Sequence, residues 1–411
     1  MKRNSLHSFA TDTLGYCTNV HPAQSWLEIW NLLQTDVKTV FETVRQDLGA
    51  PALDTPRFGA GLWLPAGAAE EILEHGHIPL LKDFGTQNQL DFFTLNGFPY
   101  GNFTGQRIKE RVYAPDWTQP ERLDYTLKLV EIASQLGQEG RPFTISTVPI
   151  SYRQWLKHPN QLSAAAGNLA KVALEMVRAE ERTGVKIHLA LEPEPTCYLE
   201  SSRDVIGFFK EYLLLSGYDS LRKMTGLPPL HAQELLLERI QICFDTCHSA
   251  VSFEDPQSML SRYQAEGIEI GKVQLSSALE INFDETENVH DLVEALRPLD
   301  DHRFLHQVVG VSADGEPKAA YEDLSDALSD WTTTDPSGRF RIHYHMPLAC
   351  DEVLPFKTTR NYVDQVIALH NANRISDHWE VETYAWDLLP ENRRHPRLTT
   401  EIANELRSVL N

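Results

Sequence analysis

The feature that most constrains this chain is a repeated alternation. Short runs of β-branched and aromatic residues are separated by longer stretches in which apolar residues recur every three or four positions. A short apolar run bounded by turn residues reads as a buried strand, and the 3.6-residue period between such runs reads as an amphipathic helix. Repeated βα units around a parallel sheet are the expected result. The strand candidates are Leu14–Val20, Phe58–Leu64, Phe92–Asn96, Phe143–Pro149, Val185–Leu191, Ile240–Phe244, Gly271–Leu275, Phe340–His345 and Trp379–Tyr384. After Ser25, the residues Trp26, Ile29, Trp30, Leu33, Val37, Val40, Phe41, Val44 and Leu48 fall on one helical face.

A closed α/β barrel of the (β/α)8 or TIM type takes eight strands, so with nine candidates one of the last three falls outside it. No low-complexity linker or fixed-period repeat divides the 411 residues. One barrel domain over 1–411 is therefore expected, with an insertion in its C-terminal third, at about 282–338, where Asp, Pro, Gly and Ser concentrate.

Charge and cysteine usage narrow the function. Lys and Arg number 37 against 58 Asp and Glu, a net charge of -21, which repels phosphate backbones and argues against a nucleic-acid partner. Five sparse cysteines fit a reducing compartment better than a disulfide framework. The first residues lack a signal-peptide core, and no run of about 18 apolar residues exists to span a membrane. The expectation is a cytoplasmic protein, with homo-oligomerisation left open.

Barrels of this kind assemble their sites where strands end, and the strand ends here are polar. The fifth candidate ends in Glu192, within LALEPEP. The sixth ends in Asp245, with His248 one turn beyond, and the seventh carries Gln274. In the ninth, alternation places Glu380 and Glu382 on one face. Oxygen ligands with an amide or a nitrogen suit Mg²⁺, Mn²⁺ or a catalytic Zn²⁺. Such an ion acidifies a hydroxy-ketone held on adjacent oxygens while a carboxylate moves the proton through an enediolate. A lone strand-end carboxylate more often caps the next helix, but four separate strand ends shift the balance.

Other residues are weaker candidates. His343 and His345 alternate along one strand and so share a face. Asn19 and His21 end the first strand candidate, and Asn96 lies beside Phe98 and Tyr100 in a glycine-flanked loop. Arg153 suits a carboxylate or phosphate on a substrate. Cys243 and Cys247 read as small buried hydrophobes.

The phrases LALEPEP, CFDTCHSA, KVQLSSA and HWEVETYAW resemble the strand ends of the xylose-isomerase-like barrel superfamily, which includes sugar isomerases, ketose epimerases and apurinic endonucleases. The resemblance implies a divalent ion held by Glu192, Asp245, Gln274 and Glu382, with Glu192 and Glu382 as the acid–base pair and His248 contacting substrate. YCTNVHPAQSW, TLNGFPYGNF, STVPISYR, FLHQVVG and RIHYHMPL extend the likeness to the EboE family of metabolite-traffic proteins. One departure stands out. The superfamily passes from the seventh-strand ligand to the final glutamate in one βα unit, whereas here a long stretch with Asp301, His302, His306, His343 and His345 intervenes. His345 is thus a rival to Gln274, and the number of ions stays open.

The resulting expectation is a metal-dependent isomerase or epimerase acting on a small polyhydroxylated or cyclitol-like metabolite. A non-catalytic metabolite-handover protein is the second reading. A metal-dependent phosphodiesterase of the apurinic-endonuclease kind is the third, disfavoured by the absence of a basic stripe.

Overall fold

A computed structural model of the protein describes residues 12–48, 57–101, 108–300, 303–389, 395 and 397–410. Seven strands appear in chain order before the polypeptide leaves the barrel: β1 Thr13–Cys17, β2 Arg57–Trp63, β3 Asp91–Asn96, β4 Pro142–Thr147, β5 Lys186–Leu191, β6 Ile240–Asp245 and β7 Ile270–Leu275. Six further strands build a second sheet: β8 Ser277–Asn282, β9 Val308–Val311, β10 Pro317–Tyr321, β11 Arg339–Met346, β12 Glu352–Val353 and β13 Phe356–Thr358. The chain then returns as β14, His378–Val381, which pairs in parallel with both β7 and β1 and closes an eight-stranded barrel.

Strand alternation sorts the barrel side chains as expected. On β14, Trp379 and Val381 pack outward with Val273 and Leu275 of β7 into the main apolar core. Glu380 points inward to Lys272, and both side chains are completely buried. Lys272 Nζ also lies 3.3 Å from Thr94 Oγ1 on β3 and 3.4 Å from Ser146 Oγ on β4, so this contact crosses the barrel interior. At Gly61 an added Cβ would sit 1.3 Å from Glu380 Oε1, so any larger residue there must displace the glutamate. Helices cover the outside. The helix Pro159–Thr183 ends on Gly184, whose φ of +72° suits the left-handed cap.

The surplus candidate, Phe340–His345, is β11, and it belongs to the second sheet rather than the barrel. Its burial on both faces explains why its pattern matches that of a barrel strand. That sheet, in the order β10-β9-β11-β8-β13-β12, spans Ser277 to Thr358 and is wider than the 282–338 segment singled out by composition. Only Ser276 separates β7 from β8, so the barrel strand runs straight out of its C-terminal mouth into the insertion. Phe283, Trp331 and Phe340 form an edge-to-face group at 5.0–5.6 Å in a separate apolar core behind this sheet.

Between Ile342, opposite Leu279, and Met346, opposite Ser277, β11 advances four residues while β8 advances two. The irregularity contains His343, Tyr344 and His345. Such bulges re-aim side chains, and this one hangs the two histidines over the barrel mouth.

Candidate metal centre

Glu192, Asp245 and Glu382 follow or end β5, β6 and β14, and their carboxylate oxygens lie within 4.8 Å of one another, all buried. Each is anchored differently. Asp245 Oδ1 caps the following helix, accepting from the backbone N–H groups of Cys247 at 2.7 Å and His248 at 3.0 Å. The helix-cap role and the site role are therefore compatible, because the second oxygen, Oδ2, remains for the cleft. Glu382 Oε1 accepts from Asn19 Nδ2 at 2.8 Å, and its Oε2 accepts from the Gln274 amide. The Gln274 oxygen in turn faces the Cys243 thiol.

Glu192 Oε2 and Asp245 Oδ2 are buried and have no hydrogen-bond partner among the described groups. A buried carboxylate oxygen without a partner is costly, and the cost multiplies when carboxylates face one another. Burial, followed by the charges of Glu382 and Asp245, pushes the Glu192 carboxyl well above its ordinary range. Burial and then Asp245 push Glu382 up to about 8, with Lys272 and the Asn19 hydrogen bond opposing. Burial alone would lower the Lys272 ammonium, but neighbouring Glu380 holds it above its ordinary value. The orphaned oxygens and the all-oxygen donor set fit a hard divalent cation.

Above the carboxylates lies a cavity of about 320 Å³. Asn19, Asn96, His248, His306, His343 and His345 line it, with Phe98, Tyr113, Phe304, Leu305, Tyr344 and Tyr384 forming an apolar wall. Burial lowers all three histidines at its floor: His248 to about 4, His343 well below its ordinary value, and His345 in the same direction. Burial thus favours the neutral form of each ring.

Two of the candidates lie elsewhere. Arg153 is half-exposed and pairs with Glu200 at 3.3 Å and Asp204 at 3.6 Å on the surface. His21 is buried beside the Tyr16 hydroxyl at 3.2 Å and does not line the cavity. His306 does line it, but stacks on Tyr344 with ring centroids 3.9 Å apart and places Nδ1 3.0 Å from the His343 carbonyl. Asp301 and His302 lie outside the described residues.

Sequence reasoning passed over Glu194, two residues after Glu192. It accepts from the Tyr113 hydroxyl at 2.7 Å and from Gln307 Nε2 at 3.3 Å, and burial raises it to about 8 despite both bonds. Its only signal was the doubled E-P of LALEPEP. Gln307 offered none, because its role depends on the insertion folding back over the barrel.

No family model matches the chain, and no curated protein does. Several solved structures are similar to it in architecture. One is a xylose isomerase-like TIM barrel protein from Mycobacterium smegmatis in complex with magnesium, 8% identical, covering 99% of this chain and 97% of its own, with a TM-score of 0.47. Another is an IolI protein with a bound zinc atom, 11% identical over 96% of this chain and 95% of its own, at a TM-score of 0.45. A third is an AP endonuclease of family 2 from Brucella melitensis, 12% identical over 64% and 79% of the two chains, at a TM-score of 0.38. At these identities the likeness concerns barrel architecture alone. The EboE resemblance stands on sequence phrases.

Proposed function

We propose that the protein is a divalent-metal-dependent enzyme of the isomerase or epimerase type, acting on a small polyhydroxylated or cyclitol-like metabolite. The observation that carries this reading is the convergence of Glu192, Asp245 and Glu382, with two orphaned oxygens, beneath a cavity of about 320 Å³. These three residues would hold the ion, a magnesium, manganese or zinc, with Gln274 alongside. When bound, the ion supplies a Lewis acid for oxygens on adjacent substrate carbons.

The chain's own groups provide the proton transfer. Glu382, raised by burial and by Asp245, and Glu192, raised by burial and by Glu382 and Asp245, are the two carboxyls placed to exchange protons as an acid–base pair flanking a carbonyl requires. Asn19 and Gln274 fix the orientation of Glu382. The apolar wall excludes water and accommodates a ring or hydrocarbon part of the ligand. That wall also favours the second reading, a handover protein that binds a metabolite without converting it. The EboE resemblance supports a place in bacterial metabolite traffic in the cytoplasm, where five buried cysteines are at home.

The test is proton exchange by NMR in D₂O with metal-loaded protein and a panel of ketoses and cyclitol ketones. Exchange at the carbon beside the carbonyl, abolished in Glu382→Gln, is the expected result. Saturable binding without exchange would replace the enzyme reading by the handover one.

A further inference from the structure

Next to the carboxylates, three imidazole nitrogens face one another. His248 Nε2 is 3.1 Å from His343 Nε2, which is 2.9 Å from His345 Nε2, which is 3.3 Å from His248 Nε2. Hydrogen-bond separations between nitrogens require a donor, and the surroundings remove the donors. His248 Nδ1 lies 3.0 Å from the Pro193 carbonyl, and His345 Nδ1 lies 3.0 Å from the Glu382 carbonyl and 3.1 Å from the Ser276 hydroxyl, which can accept as the carbonyl does. His343 Nδ1 lies 2.5 Å from Gln307 Oε1. The Gln307 amide is itself oriented, because its Nε2 faces the Tyr113 hydroxyl, Glu194 Oε1 and the Pro195 carbonyl at 3.1–3.3 Å. A carbonyl oxygen only accepts, so each Nδ1 carries the hydrogen and each neutral ring turns an Nε2 lone pair towards the other two. Three acceptors converge with nothing between them to accept from.

We propose that His248, His343 and His345 bind a cation of their own through Nε2, a zinc-type ion distinct from the one assigned to the carboxylates. Four-coordinate zinc with bonds of about 2.0–2.1 Å spaces its ligand atoms about 3.3 Å apart, within a few tenths of an ångström of the separations found here. Three imidazoles select zinc-type ions, whereas the oxygen-only trio beside them selects harder ones. The backbone and amide acceptors at Nδ1 are the outer partners that metal-binding histidines use to fix their tautomer. All three rings line the cavity, so the remaining coordination position opens towards the ligand space and takes water or a ligand oxygen. His343 and His345 come from the insertion sheet and His248 from the barrel, so the ion also ties the insertion to the barrel mouth.

The experiment is cobalt(II) titration of chelator-stripped full-length protein, read by metal analysis and by visible absorption of nitrogen-bound cobalt. The wild type is expected to bind two equivalents, one of which gives an intense visible band. His343→Gln/His345→Gln is expected to lose that equivalent and its band, while Glu192→Gln/Asp245→Asn keeps that equivalent and its band. X-ray absorption on the zinc-loaded wild type provides a readout independent of variant folding, with three imidazoles expected in one zinc shell. An oxygen-only shell, or loss of the band in the carboxylate variant, would overturn the proposal by showing a single ion on the carboxylates. Loss of only the second, band-free equivalent in the carboxylate variant would leave the histidine site standing, and its absence from the wild type would count against the carboxylate reading alone.

Discussion

Replacing Lys272 by Met tests how the barrel interior tolerates a charge beneath the carboxylate centre. Lys272 and Glu380 are both fully buried, and among the described residues Lys272 has Thr94 and Ser146 as further hydrogen-bond partners. At an ordinary charged contact of about 2.8 Å and an effective dielectric of about 20, their attraction is about 6 kcal/mol. Desolvating the two ions costs several kcal/mol each, so the intact pair is close to neutral for stability. Removing one partner is a different matter. Lys272→Met strands Glu380 in a fully buried site and should cost about 3–5 kcal/mol, whereas Lys272→Met/Glu380→Leu should lie within about 2 kcal/mol of wild type or above it. Urea unfolding of the metal-free protein at fixed pH, with the Glu380→Leu single variant closing the cycle, measures the coupling directly. If Lys272→Met proves as stable as the double variant, the pair is not the compensated buried charge described here.

Three further outcomes are expected. Gly61→Ala should displace Glu380, because its Cβ falls 1.3 Å from Oε1, and a loss exceeding about 2 kcal/mol in urea that shrinks in a Lys272→Met/Glu380→Ala background would show it. Asp245→Asn keeps an oxygen for the helix cap and removes one of three facing charges, so the metal-free protein should be no less stable than wild type while metal affinity at the carboxylate centre, read by calorimetry, falls at least about tenfold. His378, at the opposite end of β14, is lowered by burial to about 3, so the unfolded chain binds more protons below pH 6.5; its contribution is complete above that pH and is lost on acidification. Melts of His378→Gln from pH 7.5 to 4.5 should therefore be flatter than wild type by up to about 1.4 kcal/mol per pH unit, and parallel curves would sink the argument.

Much of the barrel was legible in the sequence because strand and helix periods are local. Eight of the nine strand candidates overlap β1 to β7 and β14, and the ends of β5, β6 and β14 carried their carboxylates visibly. The inward pair Glu380 and Glu382 followed from alternation alone. Misassignment was confined to positions where two folds share one local pattern. Phe340–His345 is buried on both faces whether it sits in a barrel or in a sheet packed over one, and only pairing with β8 and β9 distinguishes them.

What the sequence determined by itself was thus the repeating unit, the barrel it closes into, and the chemistry presented at each strand end. Tertiary structure decided which of those ends meet. His248 and His343 are 95 residues apart, and Asn19 and Glu382 are 363 apart. No local period links such positions, because their approach depends on strand register, on the bulge in β11 and on the path by which the insertion returns to the mouth. The same limit applies to Arg153, whose strand-end position suited a ligand contact but whose loop turns it to Glu200 at the surface. Local patterns follow from the geometry of one backbone segment; a site is a property of several segments brought together.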